Sequence, residues 1–143
     1  MPYETTSDHI LLIDDNSLDI DLFERAIRKT TSSIQLDVAR DGEEALAYLK
    51  QWEADAPLPK VILLDLKLPK VDGMEVLRNL KSHPRFKIIP VVVLTSSTEA
   101  VDMSQAYKLG ANSYIMKSVD YDEFAKAVAL IHHYWRELNI YPE

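Results

Sequence analysis

Cysteine is absent from all 143 residues. That excludes a disulfide framework, thiol catalysis and a cysteine metal site, and it fits a cytoplasmic protein. No apolar run approaches the roughly 20 residues that cross a bilayer. The opening, Met1 to His9, is polar and acidic where a secretion signal would be basic and then apolar, so no membrane association is expected. Basic residues are the minority, 16 Lys and Arg against 23 Asp and Glu for a net charge of -7. Binding to nucleic acid needs clusters of Lys and Arg to neutralise phosphates, so it is not expected either. The densest basic groups, Arg25 to Lys29 and Lys81 to Lys87, read as solvated helix faces. There is no repeat, low-complexity segment or long linker, and the length leaves room for one core. A single domain over 1–143, with its core from about residue 8 to 139, is expected.

What is present is a set of short apolar runs: His9 to Ile13, Lys60 to Leu64, Pro90 to Leu94 and Ser113 to Met116. Each has strand length, and the first three are apolar at nearly every position, as strands covered on both faces are. Ile34 to Ala39 alternates more and reads as an edge strand with one wetter face. Helical patterns separate the runs. Leu18, Leu22, Phe23, Ala26 and Ile27 form one apolar stripe, with Asn16 or Ser17 as cap and Asp19, Asp21 and Arg25 outside it. Glu43 to Trp52 is a second helix. A third is marked by Met74, Leu77 and Leu80 and ends near His83-Pro84, and a fourth runs from Thr98 to Leu109 with Gly110 as C-cap. Phe124, Val128, Ile131, Trp135 and Leu138 mark a long terminal helix. Strand and helix alternate throughout, which predicts an α/β fold: a doubly wound five-stranded parallel sheet with helices on both faces. The leading strand order is the flavodoxin-like 2-1-3-4-5, whose ligands sit beyond the carboxyl ends of the strands.

Polar residues gather at those ends. Asp14 and Asp15 follow the first run, Asp65 the third, Thr95 and Ser96 the fourth, and Lys117 the last. Carboxylates brought together repel one another, and an oxygen-rich cluster of them suits a hard divalent cation, Mg2+ foremost. One carboxylate can then act as nucleophile toward phosphorus, with a hydroxyl and an ammonium meeting the phosphoryl oxygens. Singly, each residue has a plainer reading. Asp14 or Asp15 could cap the next helix, Thr95 and Ser96 could be caps or strand formers, Lys117 could be a solvated loop lysine and Tyr114 plain core. Their joint occurrence at several strand ends is what argues for a phosphoryl-transfer site.

The ordered set resembles the receiver family of bacterial response regulators over nearly the whole chain. Leu11-Leu12-Ile13-Asp14-Asp15-Asn16 is similar to the family's opening, and Asp65-Leu66-Lys67-Leu68-Pro69 with Asp72-Gly73 to its phosphorylation loop. Thr95-Ser96 and Lys117 are similar to its switch hydroxyl and its lysine. The resemblance implies that Asp65 accepts a phosphoryl group from a histidine kinase. It implies that Asp15, Asp65 and the backbone carbonyl of Lys67 coordinate Mg2+, while Asp14 acts mainly through bound water. Thr95 would hold phosphoryl oxygens, Lys117 would pair with another, and Tyr114 would be the aromatic switch. Lys67 and Ser97 would influence phosphoryl lifetime. Pro69 and Gly73 would shape the loop, Gly73 by taking backbone angles barred to other residues. The family usually has Lys-Pro with a cis bond where this chain has Lys117-Ser118. A cis bond before serine would cost about 2.5 to 4 kcal/mol, so a trans bond is expected.

Only one helix and a short tail follow Lys117, so no output domain is expected, and signalling would pass to a downstream protein target or a phosphotransfer protein. Tyr134 and Tyr141 are candidates for a homodimer or partner surface. The closing segment, Leu68 to Met74 and His83 to Pro90 resemble the subgroup associated with phytochrome kinases. Two other readings compete. A haloacid-dehalogenase-type phosphatase would need Asp-x-Asp after the first strand, and Asp15-Asn16-Ser17 does not supply it. A degenerate receiver acting as a phosphorylation-independent interaction module is favoured only by Ser118.

Overall fold

The computed structural model describes residues 8–30 and 34–142. Within them the elements run β1 (His9–Ile13), α1 (Ser17–Thr30), β2 (Gln35–Ala39), α2 (Gly42–Glu53), β3 (Val61–Leu64) and α3 (Gly73–Ser82). They continue as a 3-10 turn (Phe86–Ile88), β4 (Val91–Thr95), α4 (Ala100–Leu109), β5 (Ser113–Met116), α5 (Tyr121–His133) and a π turn (Tyr134–Leu138). The strands form one parallel sheet in the order β2-β1-β3-β4-β5, as expected from the alternation.

The all-apolar runs divide by parity, because successive side chains of a strand point to opposite faces. Leu11, Ile13, Ile62, Leu64, Val91 and Val93 pack with Ala45, Leu49, Trp52, Leu77, Leu80 and Ala106 of α2, α3 and α4. Ile10, Leu12, Val61, Leu63, Val92 and Leu94 pack with Ile20, Phe23 and Ile27 of α1 and Phe124, Val128 and Ile131 of α5. Full burial of each such side chain is worth about 1.5–3 kcal/mol. This double cover holds the central strands rigid and fixes their carboxyl ends.

Some expectations need correction. Leu18 is 65% exposed, and Ile20 takes its place in the stripe. The cap is Asn16, whose Oδ1 accepts from the Asp19 amide at 3.1 Å. The fourth helix starts at Ala100, after an extended Glu99, rather than at Thr98. Its end is as expected, with Gly110 left-handed at φ 107°. The last helix does not run on to Leu138: after His133 it widens into the π turn, which shifts the helical phase and leaves Leu138 59% exposed.

Tyr141, a candidate for a partner surface, has its hydroxyl bound within its own chain. Its hydroxyl lies 2.6 Å from the Lys60 carbonyl and 2.7 Å from that of Trp135. It packs against the core, and Arg136 pairs with Asp8 alongside it. Tyr134 is largely exposed and stacks edge-on with Trp135 at 4.7 Å. Lys81 is no solvated surface lysine either. Its ammonium is held by the carbonyls of Lys87 (3.0 Å) and Ile89 (2.8 Å) and by Asn112 Oδ1 (3.0 Å).

Candidate functional site

The ladders run one residue beyond the strands and deliver the polar groups to one rim. The amide of Asp14 bonds to the Ala39 carbonyl (3.0 Å), that of Asp65 to Ile13 (2.9 Å) and that of Lys117 to Thr95 (2.8 Å). Asp14, Asp65 and Thr95 are buried while Asp15 opens to solvent. Carboxylate oxygens of Asp14, Asp15 and Asp65 lie within 4.8 Å of one another. That donor set is the oxygen-rich kind that a hard divalent cation takes. Burial pushes the Asp14 carboxyl up from its ordinary value, against the opposing pull of Lys117.

Both oxygens of Asp65 are engaged. Oδ1 accepts from Thr95 Oγ1 at 2.9 Å and from the Lys67 amide at 3.2 Å. Oδ2 accepts from Lys117 Nζ at 2.7 Å. The same ammonium lies 2.7 Å from Asp14 Oδ2 and 2.8 Å from Asp19 Oδ2. Burial opposes its charge, but the bonds from Asp14, Asp19 and Asp65 outweigh that and hold it well above the ordinary lysine value.

From Asp65 a chain of bonds leads outward. Thr95 Oγ1 accepts from the Ser97 amide (3.4 Å), and the Ser97 carbonyl accepts from the Tyr114 hydroxyl (3.0 Å). Ser97 Oγ donates to Asp102 on α4 at 2.5 Å. Burial raises the pKa of the half-buried Tyr114 phenol. The ring therefore lies against the core, with its hydroxyl tied to the loop that begins at Thr95.

The Lys117–Ser118 bond is trans, since no described peptide bond is cis. Ser118 Oγ accepts from the Asp120 amide at 3.1 Å, and Asp120 caps α5. Gly73 corrects an expectation. It has no positive φ, and the left-handed residue of that loop is Lys70, at φ 68°. What requires glycine is proximity, because a Cβ at position 73 would lie 2.5 Å from the Asp65 carbonyl and from Leu66 Cα.

Asp19 is the site residue that sequence reasoning passed over, having been placed with the polar face of the helix. No local pattern marked it, because Asp15 and Asn16 precede α1 and the contact that gives Asp19 its place is with Lys117. Asp14, Asp65 and Lys117 each directly follow a strand, and Thr95 ends β4, on the same rim.

A family model described as a response regulator receiver domain matches residues 10–129. The chain belongs to that family: it is a receiver domain of the two-component response regulators. Response regulator Rcp1 of Synechocystis sp. is 40% identical over 135 residues, covering 93% of this chain and 92% of Rcp1. The Mn(2+)-bound crystal form of Rcp1 superposes with a TM-score of 0.86 at 39% identity, over 95% of this chain and 99% of that one. The phosphorylated cyanobacterial phytochrome response regulator RcpA gives a TM-score of 0.89 at 41% identity, over 96% and 99% of the two chains. The probable methanogenesis regulatory protein FilR2 of Methanothrix harundinacea is 41% identical over 134 residues, 93% of this chain and 86% of that protein. Among the described residues, no helix is long and apolar enough to cross a membrane.

Proposed function

We propose that Asp65 is the phosphoacceptor of a cytoplasmic switch served by a histidine kinase. The observation that carries this reading is the pair of donors on its two oxygens, Thr95 Oγ1 at 2.9 Å and Lys117 Nζ at 2.7 Å. A carboxylate oxygen of Asp65 attacks the phosphorus of a phosphohistidine, the P–N bond breaks, and the imidazole leaves. Thr95 and Lys117 then donate to phosphoryl oxygens instead of to the free carboxylate. Asp14, Asp15, Asp65 and the Lys67 carbonyl are the groups that would hold Mg2+, which when bound neutralises phosphoryl charge. The Thr95–Ser97–Tyr114 chain carries the change toward the outer face, and Lys67 and Ser97 tune how long the phosphoryl group lasts. The domain catalyses only its own phosphoryl transfer and hydrolysis.

The whole of 1–143 works as one receiver that signals by protein contact, to a downstream target or a phosphotransfer protein, with or without forming a homodimer. A phytochrome-like kinase is the favoured partner, supported by the likeness to Rcp1 and RcpA.

Intact mass after treatment with acetyl phosphate, with and without Mg2+, tests the reading. A Mg2+-dependent phosphoryl adduct that Asp65→Asn abolishes is expected. An Asp65→Asn protein that still accepts phosphate, or a wild type that neither acetyl phosphate nor a cognate kinase labels, would overturn it in favour of a phosphorylation-independent interaction module.

A further inference from the structure

An ammonium has three N–H donors, and Lys117 gives one to each of three carboxylates: Asp14, Asp65 and Asp19. The first two belong to the reacting centre. Asp65 is the residue to be converted to an acyl phosphate, and Asp14 shares the cation-type cluster with Asp15 and Asp65. Asp19 stands outside that cluster, on the first turn of α1, with its backbone amide fixed by Asn16 at 3.1 Å. Its side chain keeps 27% of its surface exposed, against 3% for Asp14 and 9% for Asp65. One of its faces thus stays open to solvent while the other holds the lysine. The Lys117 side chain is only 9% exposed, and the three carboxylates, one for each N–H, set where its ammonium ends.

We propose that Asp19 is a positioning residue for phosphoryl transfer. It is the acceptor that keeps the Lys117 ammonium in reach of the incoming phosphoryl oxygens once Asp65 and Asp14 are otherwise engaged. This rests on the phosphoacceptor reading of Asp65. Without Asp19 one donor of a long, flexible side chain is released, and the ammonium is no longer prepaid in its reactive placement.

The test compares wild type, Asp19→Asn and Asp19→Glu in two measurements. The first is the rate of adduct formation with acetyl phosphate at saturating Mg2+. Asp19→Asn keeps an acceptor oxygen but takes the charge out of the hydrogen bond, for which a slowing of about tenfold is expected. Asp19→Asn is expected to show it with its Mg2+ half-saturation point unmoved, and Asp19→Glu to recover most of the rate. The second needs neither metal nor phosphate: the rate at which Lys117 is acylated by an N-hydroxysuccinimide ester, located by peptide mass. It is expected to rise in Asp19→Asn and to return toward wild type in Asp19→Glu. Unchanged Lys117 labelling in Asp19→Asn, or wild-type adduct formation by that variant, would overturn the proposal. A wild type that forms no adduct would defeat the phosphoacceptor reading, while the labelling arm would still decide whether Asp19 places Lys117.

Discussion

Thr95 Oγ1 donates to Asp65 Oδ1 at 2.9 Å from a position with no solvent exposure. The same hydroxyl oxygen accepts from the Ser97 amide at 3.4 Å. Thr95→Val keeps the shape and removes both roles, leaving Asp65 Oδ1 with only the Lys67 amide. An unmet buried polar group costs about 1–3 kcal/mol, and a loss of that size is expected in urea unfolding, with Thr95→Ser close to wild type. An unchanged midpoint for Thr95→Val would show that the hydroxyl carries no part of the network.

The carboxylates of Asp14, Asp15 and Asp65 converge within 4.8 Å, and the single ammonium of Lys117 serves two of them and Asp19 besides. Repulsion left over by one lysine would be relieved by a divalent cation bound at this cluster, which only the folded chain assembles. Mg2+ is expected to raise the melting temperature, and a chelator to reverse the rise. At a cation concentration of about 100 times the dissociation constant the gain is about 2.7 kcal/mol. Asp15→Asn, which removes the exposed member of the cluster, should lose most of that gain. A melting temperature indifferent to Mg2+ would count against a cation at this rim.

The sheet and most of the site were legible because both follow from short-range pattern. Apolar runs covered on both faces give parallel strands, and the residue after each run lands on the rim. What was missed depends on contacts that no local window contains. Asp19 meets Lys117 across 98 positions, so its role shows only once α1 and β5 are set in place. Lys81 meets Asn112 across 31 positions, which turned an expected surface lysine into a tie between α3 and the start of β5. Helical period was visible, but phase at helix ends was not. Leu18 lies on the solvent side of the first turn of α1, and Leu138 closes a π turn that no spacing announces.

Gly73 opens α3 directly beneath the backbone of the Asp65 loop, its amide bonded to the Leu66 carbonyl at 3.0 Å. A methyl group there meets the Asp65–Leu66 backbone at 2.5 Å, and backbone cannot swing away as a flexible side chain can. Overpacking of this kind costs about 1–3 kcal/mol. Gly73→Ala is therefore expected to lose stability in that range and, because the displaced segment carries Asp65, to form phosphoryl adduct more slowly than its remaining folded fraction allows. Adduct formation at the wild-type rate would show that α3 moves and the loop does not.

Tyr141 gives the chain an alkaline limb. Burial pushes its phenol up to about 12 from an ordinary 10.0, in spite of a hydrogen bond involving Asn139 that works the other way. Between those two values the folded protein retains a proton that the unfolded chain has released, so unfolding releases a proton there. The stabilisation is complete below about pH 10 and is lost as pH rises through about 12. Tyr141→Phe removes the hydroxyl that meets the Lys60 and Trp135 carbonyls. At neutral pH it should cost about 0.5–1.5 kcal/mol. Because phenylalanine does not titrate, the gap between variant and wild type should narrow steadily across the alkaline window. Urea unfolding at a series of pH values measures it directly, and a gap that stays constant into that window would mean the Tyr141 hydroxyl is no more protected than a free tyrosine.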